Sequence, residues 1–85
     1  MIEINKKEDI YPAINELIYF FEQNDKEEIS GILRHRMFKV SWTSQSELFE
    51  ELSSVLKNII KKNNKTFDEI IVNQIDKIIK MIQRS

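Results

Sequence analysis

One amphipathic stretch, residues 44–61, constrains the fold more than any other part of the chain. It opens with Ser44 and Glu47, which have the spacing of a capping box. In that motif the serine hydroxyl accepts a free backbone N–H and the glutamate reaches back to the serine N–H. Apolar side chains then recur every three or four residues along one face: Leu48, Leu52, Val55, Leu56, Ile59 and Ile60. This pattern predicts a helix over residues 45–61.

The same periodicity predicts three further helices, over residues 10–23, 26–37 and 67–83. Asp25 and Thr66 each precede an acidic residue by three positions and are predicted to cap the second and fourth helices. On the second helix, four apolar residues are predicted to line the buried side: Ile29, Ile32, Leu33 and Met37.

Residues 38–43 alternate apolar and polar side chains, which predicts an extended connection. We expect it to lay Phe38, Val40 and Trp42 over one end of the helices. The first eight residues alternate only weakly, and we expect them to be frayed or loosely packed. A small ribbon that pairs this segment with the connection is disfavoured, since the chain offers no other strands.

The chain contains one glycine and one proline, too few for the many turns of an all-β fold. The sequence therefore predicts an all-α fold, a compact four-helix bundle that forms a single domain over residues 1–85. Its predicted core consists of Leu17, Phe21, Leu33, Leu52, Val55, Leu56, Ile59, Ile71, Ile75 and Ile78.

Composition excludes several classes of protein. The absence of cysteine rules out disulfides and thiolate metal sites. No apolar run approaches the roughly 20 residues of a membrane span, and the first residues lack the features of a signal peptide. We therefore expect a cytoplasmic protein without a membrane partner. Because 13 basic and 14 acidic residues give a net charge of −1, nucleic-acid binding is also disfavoured.

Candidate chemical groups are few. His35 is the only histidine and is expected at the surface of the second helix. Arg34, Arg36 and Lys39 could grip a phosphate or carboxylate, but cations at a helix C-terminus are also favoured by the helix dipole, which is our preferred interpretation. We predict no catalytic residue, metal site or cofactor, and therefore no enzyme.

Acidic and aromatic residues are the better candidates for binding a partner. Glu47, Glu50 and Glu51 open the third helix, where they complement its dipole but could also receive a basic partner. Tyr19 lies among polar residues on the first helix and is predicted to be exposed. Trp42 could anchor an interface, but a tryptophan beside a helix cap and within an apolar alternation is more often a core residue. Together with Arg36, these residues make up the predicted partner-binding set.

Residues 32–60 contain the motif V-S-W-T-S-x-S-E-L followed by E-L-x-x-V-L. This third of the chain resembles small helical immunity proteins of bacterial polymorphic and contact-dependent growth-inhibition toxin systems. The resemblance implies a cytoplasmic protein that binds a cognate toxin domain, commonly a nuclease, and covers its active site. Such families share no common binding residues. They are often strongly acidic, so at a net charge of −1 the acidity here would have to be local. The alternative is a structural or regulatory helical protein that forms a homo-oligomer.

Overall fold

The computed structural model describes residues 1–63 and 65–84. These residues contain four α-helices and no strand, which confirms the all-α four-helix prediction. The helices are α1 (Ile10–Gln23), α2 (Glu27–Arg34), α3 (Gln45–Asn63) and α4 (Glu69–Gln83). A short 3₁₀ turn (Lys7–Asp9) precedes α1, and a π-helical turn (His35–Lys39) extends α2.

The prediction that Asp25 caps α2 was wrong. Asp25 has a φ of 58°, in the left-handed region, and Lys26 is the residue before the first turn of α2. The Lys26 N–H donates to the Phe21 carbonyl at 2.8 Å. This bond and the left-handed residue are typical of a helix C-terminus, so Asp25 ends α1 rather than starting α2.

The predicted extended connection over residues 38–43 is shorter than expected. Phe38 and Lys39 belong to the π-helical turn, and the backbone becomes extended only at Val40. Phe38 is 56% exposed instead of covering the bundle, whereas Trp42 is half-buried against the core. The wider π turn continues α2 past its predicted end at residue 37.

The Ser44 cap is confirmed in part. The Ser44 hydroxyl accepts the Glu47 backbone N–H at 3.2 Å, while the Glu47 carboxylate accepts a hydrogen bond from the Thr43 hydroxyl. The prediction that Thr66 caps α4 was wrong, because Asp68 is the N-cap and the helix begins two residues after the approximate start predicted at 67. The N–H groups of Thr66 and Phe67 both donate to the Asn63 carbonyl, which closes α3. Consequently α4 begins only after this turn, at Glu69.

The core lies between α1, α3 and α4 and is closed by Leu33 of α2. Nine of the ten predicted core residues are buried; the exception is Val55, which is half-buried. Phe21 packs against Phe67 with a ring-centroid distance of 5.4 Å and so joins the end of α1 to the residues before α4. The radius of gyration, 12.0 Å, is close to the roughly 12 Å expected for a compact chain of this length.

The N-terminal segment is held more firmly than its sequence predicts. The Ile2 N–H donates to the Glu16 carboxylate at 3.0 Å, and the buried Gln74 amide donates to the Ile2 carbonyl at 2.9 Å. Ile4 packs against the core. These contacts tie the segment to α1 and α4, so the expectation of a loosely packed start was wrong.

Candidate functional site

The end of α2 and the first turns of α3 meet at a corner that holds three of the predicted site residues. The Trp42 indole N–H donates to the Arg36 carbonyl at 2.7 Å, and the Arg36 Nε donates to the Glu51 carboxylate at 3.0 Å. Arg36 lies in the last helical turn, where carbonyl groups lack helical partners, and its carbonyl therefore accepts the indole. We call Arg36, Trp42 and Glu51 the corner residues.

The three predicted carboxylates spread around α3 instead of forming one cluster. Glu47 contacts Thr43 before the helix. Glu50 is exposed and borders a shallow depression between α3 and the end of α4, where Lys57 also lies. Glu51 turns towards α2 and pairs with the corner arginine. Only Glu47 and Glu50 are thus presented mainly to solvent.

Tyr19 lies apart from these residues. Its side chain is on α1 and 65% exposed, which confirms the surface position predicted for it. Among the hydrogen bonds and ion pairs of residues 1–63 and 65–84, none joins Tyr19 to the corner residues. Of the six predicted site residues, the hydrogen bonds and ion pairs of the described residues join Arg36, Trp42 and Glu51 to one another.

The basic residues at the end of α2 are largely paired within the chain. Arg34 contacts Glu22 of α1 at 2.7 Å, and Arg36 pairs with Glu51. His35 is exposed, as predicted, and its Nδ1 lies 3.0 Å from an Arg36 nitrogen. These pairings weaken the alternative in which the arginines grip a phosphate, since both guanidinium groups already have carboxylate partners.

A groove with a volume of about 640 Å³ opens between α2 and α3, and we call it the α2–α3 groove. Its apolar lining comes from Ile29, Ile32, Val55 and Ile59. Ile59 is buried and Ile29 and Val55 are half-buried, but Ile32 is 37% exposed. The prediction that Ile32 belongs to the buried side was therefore wrong. The groove between α2 and α3 leaves this side chain partly uncovered.

The α2 wall of the groove carries charge on both sides of Ile32. Glu28, Ile32 and Arg36 are four residues apart and form one row along the helix, and all three line the groove. Asp25, Lys26 and Glu27 add charge of both signs at the start of this wall, and Lys62 lines the groove from α3. The ion pair between Arg36 and Glu51 joins the two walls at the other end. This charged row is the sequence signal that would have placed Ile32 at the surface.

Within the described part of the chain, no three histidine, aspartate or glutamate side chains converge as metal ligands would. What this part of the molecule offers is a groove lined by both apolar and charged residues, together with a fixed acidic helix start. Both are features of protein–protein contact surfaces.

Comparison of the chain with protein-family models, curated proteins and solved structures found no match. None of the helices in residues 1–63 and 65–84 has the length and apolar character needed to cross a bilayer.

Proposed function

We propose that this protein is a stoichiometric inhibitor of another protein, specifically an immunity protein that binds a cognate toxin domain and blocks its active site. In this proposal the toxin is a nuclease, the complex forms in the cytoplasm, and the inhibitor is not an enzyme and uses no cofactor. The observation that carries the proposal is the fixed acidic start of α3. Two contacts at the corner, from Trp42 to Arg36 and from Arg36 to Glu51, hold this helix end in place.

Carboxylates that project from a fixed helix end are well placed to bind a partner. Glu47 and Glu50 project from the first two turns of α3 and are exposed. Because the backbone beneath them is already ordered, less conformational entropy is lost when a partner binds. A nuclease active site binds phosphates and presents positive charge, so exposed carboxylates complement it.

The local charge answers the objection raised by the net charge of −1. Glu47, Glu50 and Glu51 fall in one five-residue stretch of α3. Arg36 contributes the guanidinium that pairs with Glu51. Three carboxylates against one guanidinium leave this end of the helix with a local excess of negative charge. Although the three carboxylates point in different directions, Glu47 and Glu50 remain exposed to a partner at this end of α3.

The structure identifies Glu50→Lys as the sharpest test of this surface. Reversal at Glu51 also breaks the ion pair with Arg36, and reversal at Glu47 disturbs the contact with Thr43. The matched control is Glu69→Lys. Glu69 is an exposed glutamate in the first turn of α4 and lies closer to its helix N-terminus than Glu50 does, so charge reversal there costs at least as much through the helix dipole. Since α4 begins beside the end of α3, this control is remote from the corner.

The experiment is capture of partners from native cells by the tagged protein, followed by co-expression with each captured candidate. We expect one stoichiometric partner with a toxic domain, whose toxicity the wild-type protein and Glu69→Lys suppress. Glu50→Lys should weaken binding at least about 10-fold, since a lysine there repels a basic site. Loss of suppression in both variants, or in neither, would show that α3 does not provide the binding surface. Capture without any toxic partner would refute the function itself.

A further inference from the structure

Residues 1–4 lie across α1 and α4, and two side chains bind the backbone of a single residue in this segment. The Ile2 N–H donates to the Glu16 carboxylate of α1 at 3.0 Å. The Ile2 carbonyl accepts a hydrogen bond from the Gln74 amide of α4 at 2.9 Å. Both backbone groups of Ile2 are therefore bound, one by each helix, and we call Glu16 and Gln74 the clamp.

The position of Gln74 in the core is explained by this clamp. Apart from Gln74, which is 4% exposed, the buried residues of α4 are apolar: Ile71, Ile75, Ile78, Ile79 and Met81. A buried amide costs free energy unless it is hydrogen-bonded. Its partner here is Ile2, 72 residues away along the chain, and not a group of its own helix. An apolar side chain would fill the same row of α4, so the amide serves the N-terminal segment.

Apolar packing contributes little on the α4 side of the segment. A depression with a volume of about 270 Å³ lies beside it, and its lining includes Met1, Ile2 and Ile70. Met1 is 56% exposed and Ile70 is 69% exposed. Ile4 is half-buried and packs against the core. The clamp and this one isoleucine are thus the main contacts that hold residues 1–4.

The next two residues are fixed separately, to the start of α1. The Asp9 carboxylate accepts the N–H of Asn5 at 2.9 Å and the N–H of Lys6 at 3.2 Å. The Lys6 backbone is extended, and the 3₁₀ turn follows it directly. Since neither bond involves Ile2, residues 1–4 can move while Asn5 and Lys6 stay in place.

We propose that residues 1–4 form a strap that opens as one unit about Asn5 and Lys6, and that the clamp keeps it closed. Opening exposes the Gln74 amide and the core beside Ile4 to water, so the strap controls access to this face of α1 and α4. Segments with few buried apolar contacts are the ones that open locally while the rest of a protein stays folded.

The first test is amide hydrogen exchange of the full chain, followed by NMR. Gln74→Leu removes the donor but keeps a side chain that suits the apolar row of α4. It should speed exchange of the Ile2 N–H about 5- to 10-fold, the effect of one net hydrogen bond, although the bond to Glu16 is unaltered. Exchange at Asn5 and Lys6 should not change. The matched control is Gln83→Leu, at an exposed glutamine in the last turn of α4, which should leave Ile2 unaffected.

The reciprocal test changes the other half of the clamp. Glu16→Leu removes the acceptor of the Ile2 N–H, whereas Glu16→Gln retains an oxygen that can accept it. If the strap opens as one unit, Glu16→Leu should speed exchange of the Gln74 side-chain amide about 5- to 10-fold. Glu16→Gln should have a smaller effect, because its acceptor is neutral but still present.

A nitroxide spin label reports the motion of the strap directly, because the chain has no cysteine of its own. A label on Glu3→Cys, at an exposed position of the strap, should move slowly in the otherwise unchanged protein. Combining Glu16→Leu with Gln74→Leu should make it move as freely as in an unfolded chain. A label on Glu8→Cys, in the 3₁₀ turn, should not respond. Circular dichroism checks that the double variant is folded, and the exchange tests on single variants stand without it.

Three results would overturn the proposal. Unchanged exchange of the Ile2 N–H in Gln74→Leu would show that the two contacts break independently. Equal acceleration at Asn5 and Lys6 would show that the whole start of α1 frays. A matching loss of global stability in denaturant would make Gln74 a core residue whose replacement unfolds the protein. None of these outcomes depends on Glu50 or on a toxin.

Discussion

Two isoleucines in this small bundle have opposite surroundings. Ile75 of α4 is fully buried, whereas Ile32 of α2 is 37% exposed in the groove. Both lie inside helices, and the difference lies in their neighbours four residues before and after. For Ile75 these are the buried Ile71 and Ile79, while for Ile32 they are Glu28 and Arg36. A helix face closes against another helix where a whole row is apolar, and it stays open where charged residues flank a single apolar one.

Alanine substitution of the buried isoleucine should give the largest effect. Ile75→Ala should lower the free energy of unfolding by about 2–5 kcal/mol, because it leaves a cavity in a closed core. Denaturant unfolding followed by circular dichroism measures the change. A loss below about 1 kcal/mol would mean that the core around α4 can collapse to fill the space, contrary to the packing described.

The corner between α2 and α3 should show an intermediate effect. Trp42→Phe removes the indole N–H that bonds the Arg36 carbonyl at 2.7 Å, and we expect a loss of about 1 kcal/mol. Because Trp42 is the only tryptophan, the variant has to be followed by circular dichroism and not by fluorescence. An unchanged midpoint would show that this bond does not hold the corner.

The ion pair at the end of the groove should contribute less. Glu51→Gln keeps the shape of the side chain but removes its charge, and we expect a loss of about 0.2–1 kcal/mol, since both partners are partly exposed. The loss should shrink in about 1 M salt, where screening is strong. A loss that is the same at low and high salt would indicate a packing effect instead.

The smallest effect is expected at the open groove. Ile32→Ala should change the unfolding free energy of the dilute protein by less than about 0.5 kcal/mol, as for most surface substitutions. Unfolding is measured at a concentration where the protein is monomeric, so that self-association does not contribute. A loss comparable to that of Ile75→Ala would contradict the distinction between the two faces.

The sequence was sufficient for the closed part of the fold. The bounds of α1 agree with the predicted range, and α3 differs only by two further residues at its end. These helices have wide apolar faces, so local periodicity and tertiary packing favour the same structure. The start of α4 differs from the predicted one by two residues, because Thr66 was assigned as its cap whereas the Thr66 N–H donates to the Asn63 carbonyl at the end of α3.

The open part of the molecule was harder to predict. Periodicity gives the direction of Ile32 on α2, but whether a neighbouring helix covers it depends on how far α2 and α3 diverge. The contact that joins α2 to α3 at this end is the pair between Arg36 and Glu51, which lie 15 residues apart and outside any local pattern. Glu50 and Glu51 were assigned to one surface because both are acidic, although neighbouring residues on a helix do not face the same way.

The most direct test of this distinction is amide hydrogen exchange on the dilute protein. Because α2 borders the open groove while α4 lies in the closed core, the amides of α2 around Ile32 should exchange faster than those of α4 around Ile75. Equal protection of the two helices, or faster exchange in α4, would contradict the account.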